Sequence, residues 1–336
     1  MTSIIAESKV GMLGHTASGK TCFMYGMYYA FSIFEAKLPF TLHNQDERED
    51  AMMREIWEQI EDGFRPPGND VDIITYKFQL RGDLNRPLID IAWIDYRGGA
   101  LQAQPTQEEE QALRDQLVGS DCLFLCVESK TLQSDTAKDR NKIGRFGTLT
   151  KDLPTVPLVI LVTKADEFDF SGQAPASAQA EAKPRTSGSG PTPLPAIDPA
   201  IEDLVRGKFH PWFEQDRSIM ICPVTIMAQD RYFRYLPAPF AFTALKIVQK
   251  KHPEKSELLK LSDADLNFRT EGIGRYLHYF NQGATNKLRE RIQEERETLA
   301  DLERRMTSLD GYFSQASIFQ KQERVDLHGK RQQARK

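Results

Sequence analysis

A run of eight residues close to the start of the chain carries the clearest chemistry in the sequence. Residues 14–21 read Gly-His-Thr-Ala-Ser-Gly-Lys-Thr and match the pattern G-x-x-x-x-G-K-[ST]. In such a loop the glycines let backbone N–H groups turn toward phosphate oxygens, and the helix that follows adds its positive end. We therefore predict that this loop binds a nucleoside triphosphate together with Mg²⁺.

Individual roles follow from the same pattern. Lys20 is expected to reach the β- and γ-phosphates, and the hydroxyl of Thr21 is expected to bind Mg²⁺. The other predicted nucleotide contacts in this region are Gly14, His15, Thr16, Ala17, Ser18, Gly19 and Cys22.

A second pattern, Asp95-Tyr96-Arg97-Gly98, ends a predicted strand about 75 residues after the loop lysine. A D-x-x-G tetrad alone is common, and its position after a phosphate loop makes it informative. There, Asp95 is placed to hold Mg²⁺ through a water, and the N–H of Gly98 is placed to contact the γ-phosphate. The predicted catalytic residues are Lys20, Thr21, Asp95 and Gly98, of which Thr21 and Asp95 are the predicted metal ligands.

A third pattern, Thr163-Lys164-Ala165-Asp166, directly follows the apolar run 158–162. In this position Asp166 can accept hydrogen bonds from N1 and the exocyclic amine of guanine, for which adenine has no matching donors. The stem of Lys164 can lie across the base. A carboxylate that only one base satisfies discriminates strongly, so the pattern favours guanine.

These motifs, in this order, resemble the TRAFAC class of P-loop GTPases, which contains the translation-factor and Ras-like proteins, over about residues 9–225. The resemblance implies an α/β fold with a mostly parallel sheet, helices on both faces, one hairpin edge and nucleotide at the carboxyl ends of the strands. It also implies a nucleotide contact at Thr225, where Val224-Thr225-Ile226 stands in place of the family's Ser-Ala pair. Within the class, the aromatic helix after the loop resembles bacterial GTPases associated with conflict and defence systems.

Two positions depart from the family pattern. Many Ras-like proteins have a glutamine after the D-x-x-G glycine to orient the attacking water, and Gly99 stands there in this chain. Hydrolysis is therefore expected to be slow without a partner, unless another residue such as Arg97 or His15 contributes. The family's first switch uses a threonine, but the segment before the predicted hairpin offers Thr41, and then Asn69 and Asp70.

The hydrophobic pattern predicts the strands and helices that must position these residues. A hairpin is predicted from two strands joined by a turn with Gly82 and Asn85. The other predicted strands are 9–13, 122–127, 156–162 and 218–224, the hairpin strands are 71–81 and 87–94, and the predicted helices include 21–36, 46–63, 106–118 and 136–152.

The sequence divides into three parts. Residues 1–240 are predicted to form a GTPase domain, in which 171–197 is a disordered insert rich in Pro, Ala, Gly and Ser. Residues 241–312 are predicted to form a helical extension and 313–336 a basic flexible tail. A short heptad seam in the extension comprises Leu288, Ile292, Glu295, Leu299, Leu302, Met306 and Leu309. This helix, over 284–310, either packs on its own domain or mediates self-association.

Composition limits the remaining classes. The net charge of −4 over 336 residues indicates no general affinity for nucleic acid, and no clear nucleic-acid site is visible. The first residues lack the pattern of a signal peptide and no apolar run reaches transmembrane length, so neither a signal peptide nor a membrane span is expected. The four cysteines form no CxxC pair and fit a reducing cytoplasm.

The leading hypothesis is a Mg²⁺-dependent GTPase switch that binds GTP and GDP and responds to an unidentified protein partner or activator. Three alternatives remain open: a nucleotide-binding scaffold with little hydrolysis, a P-loop ATPase or kinase, and a scaffold that acts through its heptad helix. Nucleotide preference, single-turnover hydrolysis and oligomeric state distinguish them.

Overall fold

The computed structural model describes residues 5–33, 38–64, 66, 73–82, 85–96, 107–169, 193–226, 230–270 and 282–325. Its strands are β1 Ile5–Gly14, β2 Thr41–Asn44, β3 Ile73–Arg81, β4 Pro87–Tyr96, β5 Cys122–Glu128, β6 Leu158–Thr163, β7 Ser218–Pro223, β8 Ser317–Gln320 and β9 Glu323–Arg324.

Helices alternate with these strands along most of the chain. They are α1 Lys20–Ile33, α2 Glu47–Glu61, α3 Gln107–Leu117, α4 Ser129–Gln133, α5 Ala137–Thr150, α6 Pro199–Lys208, α7 His210–Phe213, α8 Ala238–Thr270 and α9 Gln282–Tyr312. Three of them begin at residues with the expected capping chemistry, since the side chains of Asp46, Thr136 and Asp198 accept backbone N–H groups at the starts of α2, α5 and α6.

The sheet has the strand order β2-β3-β4-β1-β5-β6-β7-β8-β9. Its five central strands, from β4 to β7, run parallel, and antiparallel pairs extend it at both ends. The predicted hairpin is confirmed as β3 and β4. The five parallel strands agree with the predicted α/β class, but the sheet as a whole is mixed, because β8 and β9 add a second antiparallel edge beyond the one predicted hairpin.

Helices cover both faces of the sheet, as predicted. On one face, Phe23 of α1 and Phe240 of α8 pack on the indole ring of Trp93, with ring centroids 6.4 and 5.9 Å from it. On the opposite face, the hydroxyl of Tyr96 donates to the backbone oxygen of Gln116 in α3 at 3.2 Å. The central strands β5 and β6 are buried on both faces, which explains their continuous apolar runs.

The heptad seam packs on its own chain. Leu302 and Leu309 are fully buried, and α9 lies along α8. Glu295, which interrupts the seam, pairs with Lys255 of α8 at 2.8 Å. The structure therefore shows the intramolecular alternative for this helix. None of the described helices is both long enough and apolar enough to cross a membrane.

Part of the predicted flexible tail belongs to the sheet. Strand β8 pairs with β7, and Ile318 and Phe319 are each 1% exposed. The sequence did not predict this strand, because four residues without alternating polarity are too short a signal. Residues 326–336 lie outside the described residues.

Most of the predicted insert also lies outside them. Of the span 171–197, the structure describes 193–197, in which Leu194 and Ile197 are buried. The N–H of Leu194 donates to the backbone oxygen of Tyr312 at 2.8 Å, so the end of this span is fixed against the C-terminus of α9.

Candidate functional site

The phosphate-loop sequence joins β1 directly to α1. Its backbone adopts positive φ at Ala17 (63°) and Gly19 (79°), and the N–H of Ser18 donates to the oxygen of His15 at 3.1 Å. A side chain at Gly14 would bring its Cβ within 2.5 Å of the Ser18 hydroxyl. The loop is therefore a tight curl that requires glycine at its first position, as the motif predicts.

The curl closes around the ammonium group of Lys20. Its Nζ donates to the backbone oxygens of Gly14 and His15, at 2.8 and 3.2 Å. The side chain is 7% exposed, and burial lowers its pKa while the nearby Asp95 carboxylate opposes that effect. A cation thus lies at the centre of a loop whose outer residues, Thr16 and Ala17, are open to solvent.

Asp95 lies beside this loop at the carboxyl end of β4. The residue is 1% exposed, and neither carboxylate oxygen has a hydrogen-bond partner among the described residues. Burial raises the pKa of Asp95 to about 6, and the ammonium of Lys20 limits the rise. A buried carboxylate without partners is costly, so its environment is suited to an additional cation.

The chemistry of these residues fits Mg²⁺. Magnesium is held through one or two protein oxygens plus water and phosphate oxygens, which matches one unpartnered carboxylate at Asp95 and one hydroxyl at Thr21. Thr21 follows Lys20 at the start of α1 and is half-buried. The hydroxyl of Thr21 would bind such an ion directly and the Asp95 carboxylate would hold it through a water, while the phosphates of the ligand would supply further oxygens.

The third motif is joined to the loop by a direct hydrogen bond. The hydroxyl of Thr163, the last residue of β6, donates to the backbone oxygen of Ser18 at 2.7 Å. The next residue, Lys164, has φ 52°, and a short 3-10 helix follows from Ala165. This turn carries Asp166 to an exposed position beyond the strand end.

The same turn contacts two neighbouring strand ends. The Nζ of Lys164 pairs with Glu128 at the end of β5, at 2.7 Å. The N–H of Ala165 donates to the oxygen of Val224, just after β7, at 3.1 Å. Thr225, the next residue, is buried. The carboxyl ends of β1, β4, β5, β6 and β7 therefore meet at one edge of the sheet.

Sequence reasoning missed two residues that contact the candidate site. Glu128 ends β5, and Lys142 of α5 contacts His15. Glu128 could have been noticed as the charged residue that ends a buried strand. The contact between His15 and the backbone oxygen of Lys142, at 3.1 Å, leaves no sequence signal because any residue supplies that oxygen.

Several predicted residues are outside the described part of the chain. They are Arg97, Gly98, Gly99, Asn69 and Asp70. Their placement stays a prediction.

Thr41 can be excluded as a switch threonine that reaches the site in this structure. It pairs with Arg81 at one end of β3, whereas Asp95 pairs with Ile74 near the other end. At about 3.3 Å per residue, the two positions are roughly 20 Å apart along the strand. Thr75 is within β3, as the sequence indicated, and its side chain is exposed.

Comparison with known proteins assigns neither a family nor a function to this chain. No protein-family model matches the chain, and no curated protein matches its sequence.

Proposed function

We propose that this chain is a GTP-binding protein that hydrolyses GTP to GDP as a Mg²⁺-dependent switch. The observation that carries the proposal is the meeting of three motifs, far apart in sequence, at one end of the sheet. The Thr163 hydroxyl donates to the backbone oxygen of Ser18, and the carboxylate of Asp95, which has no hydrogen-bond partner among the described residues, lies beside Lys20.

The strand order supports a Ras-like GTPase fold. Without the terminal strands β2, β8 and β9, the sheet reads β3-β4-β1-β5-β6-β7, with β3 antiparallel to five parallel strands. This arrangement leaves a crevice at the carboxyl ends on either side of β1, where doubly wound sheets bind nucleotides. The loop that follows β1 would hold the phosphates there, and the turn after β6 would contact the base.

In this mechanism the chain contributes position and charge rather than covalent chemistry. Backbone N–H groups of residues 15–21 and the ammonium of Lys20 would bind the phosphates. Mg²⁺, held by Thr21 and Asp95, would supply a positive charge against the β- and γ-phosphates. Asp166 would select guanine by accepting its N–H donors, while the stem of Lys164 supports the ring.

A second candidate, a nucleotide-binding module with little turnover, is favoured by Gly99. Glycine at that position has no side chain to orient water, so hydrolysis would need another group or a protein partner. Single-turnover measurements with bound GTP, with and without cell extract, distinguish the two candidates. A rate that extract does not raise above a very slow baseline favours the module.

Contacts of the segment after α1 support a switch that reaches the C-terminal helices. The Tyr28 hydroxyl, on α1, donates to Asp50 of α2 and accepts the N–H of Asn44. At the other end of β2, Arg305 of α9 donates to the backbone oxygen of Pro39. A shift of the segment 38–61 on loss of the γ-phosphate would thus change its contacts with both α1 and α9.

We place this switch in the cytoplasm, in keeping with its free cysteines.

The proposal is tested by titrating purified protein with GTP and with ATP in the presence of Mg²⁺. We expect GTP to bind at least about 100-fold more tightly, because adenine leaves the carboxylate unsatisfied. Asp166→Ala should remove most of this preference, and Glu167→Ala, which changes the exposed neighbour, should keep it. Equal affinity for ATP and GTP would overturn the assignment of guanine.

A further inference from the structure

A small cavity lies behind the phosphate loop, between the loop and α5. Its volume is about 30 Å³, and its lining includes His15, Ser18, Thr131 and Phe146. A buried water needs roughly 10–15 Å³ of such space together with two to four polar partners. The cavity is therefore large enough for an ordered water, but too small for a metabolite.

Two of the loop residues that line this cavity have a buried polar atom without a hydrogen-bond partner among the described residues. These atoms are Nδ1 of His15 and the hydroxyl oxygen of Ser18. The two residues are 7% and 3% exposed. Unsatisfied polar atoms at such depth are rare in native proteins, and an ordered water is the usual partner.

The tautomer of His15 follows from its other nitrogen. Nε2 lies 3.1 Å from the backbone oxygen of Lys142 in α5, and a carbonyl oxygen can only accept, so Nε2 carries the proton. Burial lowers the pKa of His15, and the hydrogen bond to Lys142 partly opposes this. The ring is therefore neutral, and Nδ1 keeps a lone pair that can accept a hydrogen bond.

We propose that a bound water joins Nδ1 of His15 to the Ser18 hydroxyl, and that His15 is a positioning residue which fixes the phosphate loop to α5. The water would donate one hydrogen to Nδ1 and bond Ser18 with its remaining capacity. The ring of His15 is also packed on Phe146 of α5, with centroids 5.5 Å apart. This inference rests on the proposed function only where it concerns nucleotide affinity.

The first test is the protonation state of His15, measured by long-range ¹H–¹⁵N correlation on the full chain at neutral pH. We expect a neutral ring with the proton on Nε2 and an Nδ1 shift typical of a hydrogen-bond acceptor. A proton on Nδ1, or a charged imidazolium, would overturn the proposal. This result does not depend on whether the chain binds GTP.

Two variants separate the contact to α5 from the contact to the water. His15→Gln can keep a donor near the position of Nε2, and His15→Asn can keep a polar atom near that of Nδ1. We expect each to weaken GTP binding by less than His15→Phe, which keeps a ring against Phe146 and loses both contacts. For His15→Phe we expect a loss of roughly 10-fold or more.

A double-mutant cycle tests whether one water joins the two side chains. Ser18→Ala and His15→Phe should lower the free energy of unfolding by amounts that are not additive, because either variant breaks the same bridge. Additive effects would show that no shared water exists. Asn141→Ala, at an exposed position next to Lys142, is the matched control on α5 and should change neither stability nor affinity.

If the chain binds no GTP while the cycle is non-additive, the proposed function fails and the water site stands.

Discussion

Asp95 shows how one residue of this site opposes folding. Its carboxylate is buried without a hydrogen-bond partner among the described residues, and its pKa is raised from the usual 3.8 to about 6. The folded state therefore binds a proton more readily than the unfolded state does. Protonation of Asp95 therefore stabilises the folded state. This stabilisation is complete below pH 4 and is lost as the pH rises through about 6.

Replacing Asp95 with asparagine should stabilise the ligand-free protein at pH 7.5. The shift in pKa corresponds to about 3 kcal/mol, and the gain is at most this, because the amide must also be buried. Chemical unfolding of both proteins at pH 4.5 and pH 7.5 measures the effect, which should fall to about a third at the lower pH. The same variant should lose the stabilisation that Mg²⁺ and GTP give the wild-type protein.

A gain that is independent of pH would contradict the raised pKa. A variant that still responds fully to Mg²⁺ and GTP would instead contradict the metal role of Asp95.

Gly14 tests the shape of the loop. In Gly14→Ala the new Cβ would lie 2.5 Å from the Ser18 hydroxyl and 2.9 Å from Cβ of Cys126, so loop or strand must shift. We expect at least about a 10-fold loss of GTP affinity together with lower thermal stability. Gly144→Ala in α5 is the matched control: its Cβ meets nothing within 4 Å, and helix propensity predicts a gain of about 1 kcal/mol. Unchanged affinity in Gly14→Ala would contradict the tight curl.

The sequence predicts those residue-level features that depend on neighbours close by in the chain. The loop motif alone placed Lys20 in a glycine curl, and the strand end placed Asp95 beside it. Two features could not be predicted from the sequence, namely that both oxygens of Asp95 lack a hydrogen-bond partner in the part of the chain that the structure describes and that His15 bonds α5. Both depend on distances between residues that are far apart in the chain.

Among the elements, α9 is fixed to the sheet by Arg305. Its guanidinium is 9% exposed, donates to Asp301 and to the backbone oxygen of Pro39, and packs on Gly82 in the β3–β4 turn. This one side chain thus joins the C-terminal helix to the hairpin and to the chain before β2.

Arg305→Ala should lower the free energy of unfolding by about 2 kcal/mol, because it removes buried charge-assisted hydrogen bonds and leaves Asp301 without that partner. Amide hydrogen exchange should rise at residues 40–44, which follow Pro39. Arg304→Ala, at an exposed neighbouring position, should change stability by less than about 0.5 kcal/mol. Unaltered exchange at 40–44 in Arg305→Ala would show that α9 does not restrain this segment.

Elements were predictable where their pairing is local. The hairpin of β3 and β4 follows from an alternating segment and an apolar segment separated by a short turn. Strand β2 has four residues, Thr41–Asn44, and gave no pattern of its own. It forms because Leu42 and Asn44 are buried beside β3 and α2, which is a tertiary effect.

In the molecule as a whole, the heptad seam of α9 packs against other parts of the same chain. Leu302→Ala removes a fully buried side chain between α9 and the rest of the chain and should cost 2–5 kcal/mol, the range typical of such sites. Light scattering should give the same molar mass for the variant and the wild-type protein. A variant with normal stability and altered mass would show that the seam mediates association between molecules.

A heptad pattern cannot by itself distinguish these outcomes, since apolar residues at steps of three and four suit a helix partner from any source. In this structure the partner helix is α8 of the same chain. Its Lys255 pairs with Glu295, the polar residue that interrupts the heptad pattern. The central parallel strands were predictable from their apolar runs. The second antiparallel edge was not, because its partners are about 100 residues apart.

That separation has a consequence for synthesis of the protein. Strand β7 leaves the ribosome about 100 residues before β8, which covers its edge. Until β8 arrives, the nascent chain presents an open strand edge and an apolar surface that Phe319 later covers, through its contact with Phe213. A nascent or prematurely terminated chain is thus the form most prone to aggregate and most in need of a chaperone. Slow translation between residues 224 and 317 should therefore lower the yield of native protein.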